Sequence, residues 1–121
     1  MKKNILIVDD KAAIAKVVAM YLSADYNFIY YDSALKAINW LSSGNKPDLI
    51  ISDIRMPDMA GDEFLVFLKN NEMYKRIPVI MLSAEDNSNA RIKLLEQGAE
   101  DYIVKPFNPQ ELKVRINKIL R

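Results

Sequence analysis

The feature that most constrains the fold is a regular alternation between short apolar runs and longer segments with helical periodicity. Continuous runs rich in β-branched residues are typical of strands covered on both faces, as in the interior of a parallel sheet. Five such units in succession predict an α/β chain with five parallel strands and five helices. The predicted strands are residues 5–8, 28–31, 49–51, 79–82 and 102–104.

The segments between and after these runs place apolar residues three or four positions apart, the spacing of one helix face. Asp32 or Ser33 can cap the second helix, and Asn108 before Pro109 is typical of the start of the fifth. Gly98 is typical of a helix C-terminus. The apolar sets are Ile14, Val17, Val18, Tyr21 and Leu22; Leu35, Ile38 and Leu41; Phe64, Phe67 and Leu68; Ile92 and Leu95; and Leu112, Ile116 and Ile119.

Right-handed crossovers between parallel strands leave few topologies for such a chain. Among them we predict the flavodoxin-like order 2-1-3-4-5, a doubly wound five-stranded parallel sheet with helices on both faces. The chain has 121 residues, of which 50% are apolar, which is the size of one domain with enough apolar side chains for a core. We therefore expect a single domain over residues 1–121.

Composition excludes several classes of function. The 17 basic and 16 acidic residues nearly cancel, which argues against direct nucleic-acid binding through a basic stripe. The sequence has no cysteine and no histidine, so thiolate and imidazole metal sites and Ser-His or Cys-His catalysis are excluded. The N-terminal apolar run is too short for a signal peptide, and no stretch has the length of a membrane span. We expect a cytoplasmic protein that makes no membrane contact.

Polar side chains follow four of the five predicted strands. Asp9 and Asp10 follow the first, Asp53 the third, Ser83 the fourth and Lys105 the fifth. Because the carboxyl ends of parallel strands lie along one edge, and strands one and three are neighbours in this order, the three carboxylates should converge there. Taken alone, each residue has an ordinary alternative as a helix cap, a turn residue or a surface charge. Their combination favours a functional site.

Three converging carboxylates need positive charge nearby. At an effective dielectric of about 20, two like charges ~4 Å apart repel by roughly 4 kcal/mol, and one lysine offsets only part of the total. An all-oxygen ligand set indicates a hard cation, Mg²⁺ before Ca²⁺, because the calcium-loop spacing of acids and glycine does not occur. A carboxylate beside Mg²⁺ can act as a nucleophile toward phosphorus and form an acyl phosphate.

Four segments, "ILIVDD", "DLIISDIRMPDMAG", "PVIMLSAED" and "GAEDYIVKPF", resemble in order the signature segments of response-regulator receiver domains of two-component signalling. The resemblance implies that Asp53 is the phosphoacceptor and that Lys105 pairs with a phosphoryl oxygen. It implies Mg²⁺ as the cofactor, bound by Asp10, Asp53 and the backbone carbonyl of Arg55, with Asp9 acting through water.

The same resemblance implies a switch. Ser83 matches the hydroxyl that turns toward the phosphoryl group, and Tyr102 matches the aromatic residue that then turns inward. Pro106 follows Lys105 as in the family, where this bond is usually cis. Pro57 and Gly61 match the loop that closes over the site.

The implied partner is a sensor histidine kinase or phosphotransfer protein, whose phosphohistidine supplies the phosphoryl group. Phosphorylation would switch the face formed by helix four, strand five and helix five, and this face is a possible homodimer interface. Its charged residues are Lys93, Glu96, Glu100, Asp101, Arg115 and Arg121. At the mouth of the site we expect either an Arg55–Glu85 ion pair or two separately solvated side chains.

Two other functions share parts of this pattern. A Mg²⁺-dependent phosphohydrolase of the haloacid-dehalogenase type would place a second aspartate two residues after the nucleophile, where this chain has Arg55. A binding module could keep the fold without being phosphorylated. Apart from limited self-phosphorylation and self-dephosphorylation, we do not expect an enzyme.

Overall fold

A computed structural model describes residues 2–84 and 87–121 of the chain. Strands and helices alternate strictly along these residues. The strands are β1 Lys3–Val8, β2 Tyr26–Tyr31, β3 Leu49–Asp53, β4 Val79–Ser83 and β5 Asp101–Val104. The helices are α1 Ala12–Leu22, α2 Ala34–Ser42, α3 Gly61–Lys69, α4 Ser88–Glu96 and α5 Pro109–Leu120. Each predicted strand and helix is therefore confirmed, with strands one or two residues longer at their ends.

The five strands form one parallel sheet in the order β2-β1-β3-β4-β5, which confirms the predicted flavodoxin-like topology. The central strands β3 and β4 are buried along their whole length. Burial on both faces explains why they are continuous apolar runs rather than alternating ones.

Successive side chains of each strand enter different apolar clusters on the two faces of the sheet. On one face, Ile5 and Ile7 of β1 pack with α1 and α5. On the other face, Leu6 and Val8 pack with α2, α3 and α4. Helices on both faces make the sheet doubly wound, so its functional groups are left at the strand ends.

Local capping sets several helix ends. The Ser33 side chain accepts a hydrogen bond from the backbone N–H of Lys36, and Asn108 accepts from the first turn of α5. Gly98, just beyond the end of α4, has φ +110°, a conformation that favours glycine. Asp9 and Asp10 do not cap α1 as an N-cap pair, because the N-cap position is Lys11.

The apolar sets locate the helices but not always the buried face. Leu35 of α2 is 49% exposed, whereas Ala34 and Ala37 are fully buried against the sheet. In α4, Ile92 is 52% exposed and Leu95 41% exposed, and the buried residue is Leu94. Leu35, Ile92 and Leu95 therefore face outward, and the core contacts of these helices come from Ala34, Ala37 and Leu41 in α2 and from Leu94 in α4.

Candidate functional site

The strand register brings the predicted site residues to one edge of the sheet. Val8, the last residue of β1, lies opposite Ser52, so Asp9 extends beyond the sheet beside Asp53 at the end of β3. Asp53 lies opposite Leu82 of β4, which places Ser83 one residue further along. Lys105 follows β5 directly, and its backbone N–H donates to the Ser83 carbonyl over 2.7 Å. The predicted convergence is confirmed for the three aspartates and Lys105.

Asp9 is held by both of its carboxylate oxygens. It is 1% exposed, and its Oδ2 lies 2.8 Å from the Lys105 ammonium nitrogen. Its Oδ1 accepts a hydrogen bond of 2.9 Å from the backbone N–H of Lys11. A buried carboxylate with a cationic partner and a backbone donor is compensated for the loss of water.

Asp53 is buried at the centre of the site. Its Oδ1 accepts a 2.8 Å hydrogen bond from the backbone N–H of Ile54 and lies 3.4 Å from Lys105 Nζ. Burial raises the pKa of the Asp53 carboxyl, and the negative charge of Asp9 raises it further; Lys105 and the Ile54 N–H act in the opposite direction. Desolvation has the largest effect on this pKa, so the positive charge of Lys105 does not fully compensate the carboxylate for its burial and for the nearby charge of Asp9.

Asp10 completes a cluster with room for a cation. One carboxylate oxygen from each of Asp9, Asp10 and Asp53 lies within 4.8 Å of the others, and Asp10 is exposed to solvent. Octahedral Mg²⁺ binds oxygens at about 2.1 Å, which places opposite ligands about 4.2 Å apart. Oxygens within 4.8 Å of one another are close enough to share one such ion and its bound waters, and their oxygen-only chemistry fits Mg²⁺.

The two predicted switch residues are both buried. Ser83 is 2% exposed at the end of β4, and Tyr102 is 7% exposed in β5. The two strands pair, with Met81 opposite Tyr102 and Ser83 opposite Val104. The Tyr102 ring thus occupies an inward position, with Arg91 of α4 above it.

The loop between β3 and α3 closes tightly on the end of β3. The Gly61 N–H donates to the Ile54 carbonyl over 2.6 Å. A Cβ at Gly61 would lie only 2.0 Å from the Asp53 carbonyl oxygen, so a side chain there would collide with the backbone of the site residue. Pro57 of this loop is exposed. The expected cis bond between Lys105 and Pro106 is confirmed.

Glu85, the predicted partner of Arg55, lies outside the described residues. Arg55 is exposed beside the site, two residues after Asp53.

Strand β2 contributes a contact to the site that was not predicted from the sequence. The Tyr30 hydroxyl donates to the backbone carbonyl of Asp9 over 2.7 Å. Burial raises the pKa of Tyr30, and the negative charges of Asp32, Asp9 and Asp10 raise it further. The only sequence signal was a tyrosine one position before the end of the strand adjacent to β1.

A parallel sheet of this order, with clustered aspartates and a lysine at its carboxyl edge, defines the receiver class of signalling domains. Residues 5–117 match the family model "Response regulator receiver domain", and the chain belongs to this family.

Relatives of this chain include transcriptional regulatory proteins and histidine kinases. It is 39% identical over 127 aligned positions to the phosphate regulon transcriptional regulatory protein PhoB of Escherichia coli, covering 100% of this chain and 53% of PhoB. It is 41% identical to PhoB of Pseudomonas aeruginosa, covering 98% of this chain and 52% of that protein. The chain thus spans about half the length of these curated relatives. Among solved structures, the chemotaxis response regulator CheY4 of Vibrio cholerae has a TM-score of 0.89 and 30% identity, covering 99% of this chain and 100% of that one.

Proposed function

We propose that this chain accepts a phosphoryl group onto Asp53 from the phosphohistidine of a sensor histidine kinase or phosphotransfer protein. The observation that supports this most directly is the position of Asp53. Its carboxylate is buried 3.4 Å from the Lys105 ammonium and within a cluster of two further aspartates. Such an arrangement combines a nucleophile with groups that can neutralise a phosphoryl group.

In the proposed transfer, a carboxylate oxygen of Asp53 forms a bond to phosphorus as the phosphorus–nitrogen bond to the donor imidazole breaks. The electron pair of that bond stays on the imidazole nitrogen, and the product is an acyl phosphate. Lys105 is close enough to both Asp53 and Asp9 to turn toward a phosphoryl oxygen with little movement of its stem. The protein's contribution is positioning and charge neutralisation.

The residues that would hold Mg²⁺ are Asp10, Asp53 and the backbone carbonyl of Arg55, with Asp9 acting through water. The bound ion would neutralise negative charge on the phosphoryl oxygens. The division between the first two aspartates is supported by their surroundings. Both oxygens of Asp9 already have partners in Lys105 and the Lys11 N–H, whereas Asp10 is exposed. Asp10→Asn should therefore weaken Mg²⁺ binding more than Asp9→Asn, and the reverse order would contradict the assignment.

Phosphorylation would act on an output face, which we define as the surface of α4, β5 and α5. The phosphoryl group adds charge and acceptor oxygens near Ser83, whose hydroxyl would turn toward it. The loop after β4 would follow, and the inward position of the Tyr102 ring would be favoured. This is a population shift between two states of the domain.

The experiment that tests phosphorylation is a Phos-tag gel of the chain incubated with acetyl phosphate and Mg²⁺. Wild type is compared with Asp53→Asn, and with Asp62→Asn in the first turn of α3 as a control for charge removal. Persistent labelling of wild type and of Asp62→Asn, with none in Asp53→Asn, is expected. Rapid release of phosphate with no persistent label would favour the phosphohydrolase, and absence of both would favour an unphosphorylated binding module.

The output face is also the proposed site of homodimerisation. Within one chain, Nη1 of Arg115 donates to both carboxylate oxygens of Asp101, at 2.9 and 2.7 Å. Apolar side chains are exposed on both helices of this face, namely Ile92, Leu95 and Val114. Arg121, which the sequence analysis assigned to this face, instead lies 3.9 Å from Asp25 in the turn between α1 and β2. Light scattering with and without beryllofluoride tests homodimerisation. A chain that stays monomeric at all concentrations would count against a dimer.

We propose that the chain acts in the cytoplasm and contacts its kinase or phosphotransfer partner directly, with no nucleic-acid binding of its own. No helix among the described residues is both long enough and apolar enough to cross a membrane. Receiver domains are signalling domains, and the activity proposed for this one is limited to its own phosphorylation and dephosphorylation.

A further inference from the structure

We propose that the hydroxyl of Tyr30 is a positioning group for the acidic pair, and that it raises the affinity of the site for Mg²⁺. The inference rests on the proposed phosphoacceptor function. Tyr30 is in β2, the edge strand beside β1. Strand β2 itself supplies no side chain to the aspartate cluster.

The backbone of Asp9 is held by β2 on both of its polar groups. Its N–H donates to the Tyr31 carbonyl over 3.2 Å, and its C=O accepts from the Tyr30 hydroxyl over 2.7 Å. The first bond continues the pattern of the β1–β2 ladder one residue past Val8, the last residue of β1. The second hydrogen bond is donated by the Tyr30 side chain. It holds the Asp9 backbone just beyond the end of β1, where the backbone is no longer fixed by the regular pairing of strands.

The Asp9 carbonyl lies in the same peptide plane as the N–H of Asp10. A peptide unit is planar and stiff, so fixing the carbonyl also fixes the direction in which Asp10 leaves the strand. Asp10 is exposed, whereas the Asp9 side chain is already held by Lys105 and the Lys11 N–H. The hydroxyl of Tyr30 therefore has more influence on the placement of Asp10 than on that of Asp9.

A ligand held in place before a metal arrives loses less conformational freedom on binding. In the absence of the Tyr30 hydroxyl, the peptide between Asp9 and Asp10 could rotate to find water. The metal would then have to reorder it. The expected loss of affinity is that of one neutral hydrogen bond, about two- to tenfold in the dissociation constant.

The test compares Tyr30→Phe with Tyr31→Phe in the complete chain. Both substitutions remove one hydroxyl from β2 and keep the ring; the Tyr31 ring packs near Trp40, with ring centroids 6.3 Å apart. Mg²⁺ binding is measured by isothermal titration calorimetry. We expect the dissociation constant to rise about two- to tenfold for Tyr30→Phe and to stay at the wild-type value for Tyr31→Phe.

A second readout separates positioning from a general structural role. The rate of Asp53 phosphorylation by phosphoramidate is measured against Mg²⁺ concentration. For Tyr30→Phe, the half-saturating Mg²⁺ concentration should rise while the rate at saturating Mg²⁺ stays near that of wild type. Urea unfolding in EDTA gives the stability of both variants without metal. A Tyr30→Phe chain that is less stable but has an unchanged Mg²⁺ affinity would overturn the inference.

The failure of the proposed function can be distinguished from failure of this inference. If wild type binds Mg²⁺ but is not labelled on Asp53, the phosphoacceptor function fails, while the comparison of affinities still decides the role of Tyr30. If wild type does not bind Mg²⁺, both are wrong.

Discussion

The guanidinium carbon of Arg91 lies 5.9 Å from the centroid of the Tyr102 ring. Arg91 is exposed on α4, and Tyr102 is buried in β5, so the contact joins a surface charge to an inward-facing ring. A guanidinium above an aromatic face is attracted by the ring quadrupole. The contact therefore stabilises the inward position of the proposed switch residue, and it links α4 to β5 within the output face.

Replacing Arg91 by alanine should lower the free energy of unfolding by about 0.5–1 kcal/mol, the value of an exposed cation–π contact. Lys93→Ala on the same helix is the matched control and should have a smaller effect. Urea denaturation measures both stabilities, and the ring resonances of Tyr102 in NMR spectra should change only in the Arg91 variant. Equal effects of the two substitutions would contradict a specific contact.

Replacing Lys105 by glutamine should destabilise the chain by about 3 kcal/mol at neutral pH without metal, because it leaves Asp9 as a buried charge without its cationic partner. Lys113→Gln is the control, since Lys113 pairs with Asp25 near the surface at 3.3 Å and such pairs contribute about 0–1 kcal/mol. Thermal unfolding in EDTA and in Mg²⁺ gives the comparison. If the two variants lost equal stability in EDTA, Lys105 would have no special role in neutralising the site.

The difference in stability between Asp53→Asn and wild type should depend on pH in a defined direction. The pKa of Asp53 is raised from its ordinary value of 3.8, mainly by burial, so the folded chain holds this proton more tightly than the unfolded chain. The contribution of protonated Asp53 to the stability of the wild-type fold is complete below pH 3.8 and is lost as pH rises through the raised pKa. At pH 7 in EDTA, Asp53→Asn should therefore be more stable than wild type.

That advantage should shrink as pH falls toward the ordinary aspartate value. Urea denaturation across pH 4–8 measures it, with Glu72→Gln as the control because the Glu72 side chain is 87% exposed. An Asp53→Asn variant less stable than wild type at pH 7 would show that Lys105 and the Ile54 N–H outweigh desolvation.

Gly61→Ala should disturb the site as well as the fold. The new methyl group would meet the Asp53 carbonyl oxygen, and relief requires the backbone to move, at a cost of about 1–3 kcal/mol. Gly44→Ala is the control: its φ is +96° with open space around it, so it costs about 1–2 kcal/mol through backbone strain alone. Mg²⁺ affinity and Asp53 labelling should fall only in the Gly61 variant. Unchanged labelling would mean that the loop relaxes without moving Asp53.

The strands and the acidic cluster were predictable because they depend on local patterns and on topology. A continuous apolar run identifies a buried strand, and parallel order then brings Asp9, Asp10, Asp53 and Lys105 to one edge without knowledge of any distance. The handedness of the crossovers restricts the remaining choices. This is why the fold and the cluster follow from the sequence.

The orientation of α2 and α4 was harder to predict because apolar periodicity does not show how closely a helix approaches the sheet. Ala34 and Ala37 are fully buried in α2, although Leu35 is the more hydrophobic residue. The contact from Tyr30 to Asp9 was also missed. In this contact a side chain donates to the backbone carbonyl of Asp9, just beyond the neighbouring strand. Every residue has a backbone carbonyl, so the sequence does not show which one a tyrosine hydroxyl will reach.

The single buried side chain of α4, Leu94, has a consequence for how a signal could leave the site. A helix attached to the core by one side chain can slide or tilt without opening a large cavity, whereas α3 has Phe64, Leu65 and Leu68 buried. The other four helices each bury three or four residues, so α4 is the helix with the fewest core contacts. Amide protons of α4 should therefore exchange faster than those of α3, and a shift of α4 should cost less free energy than a shift of α3.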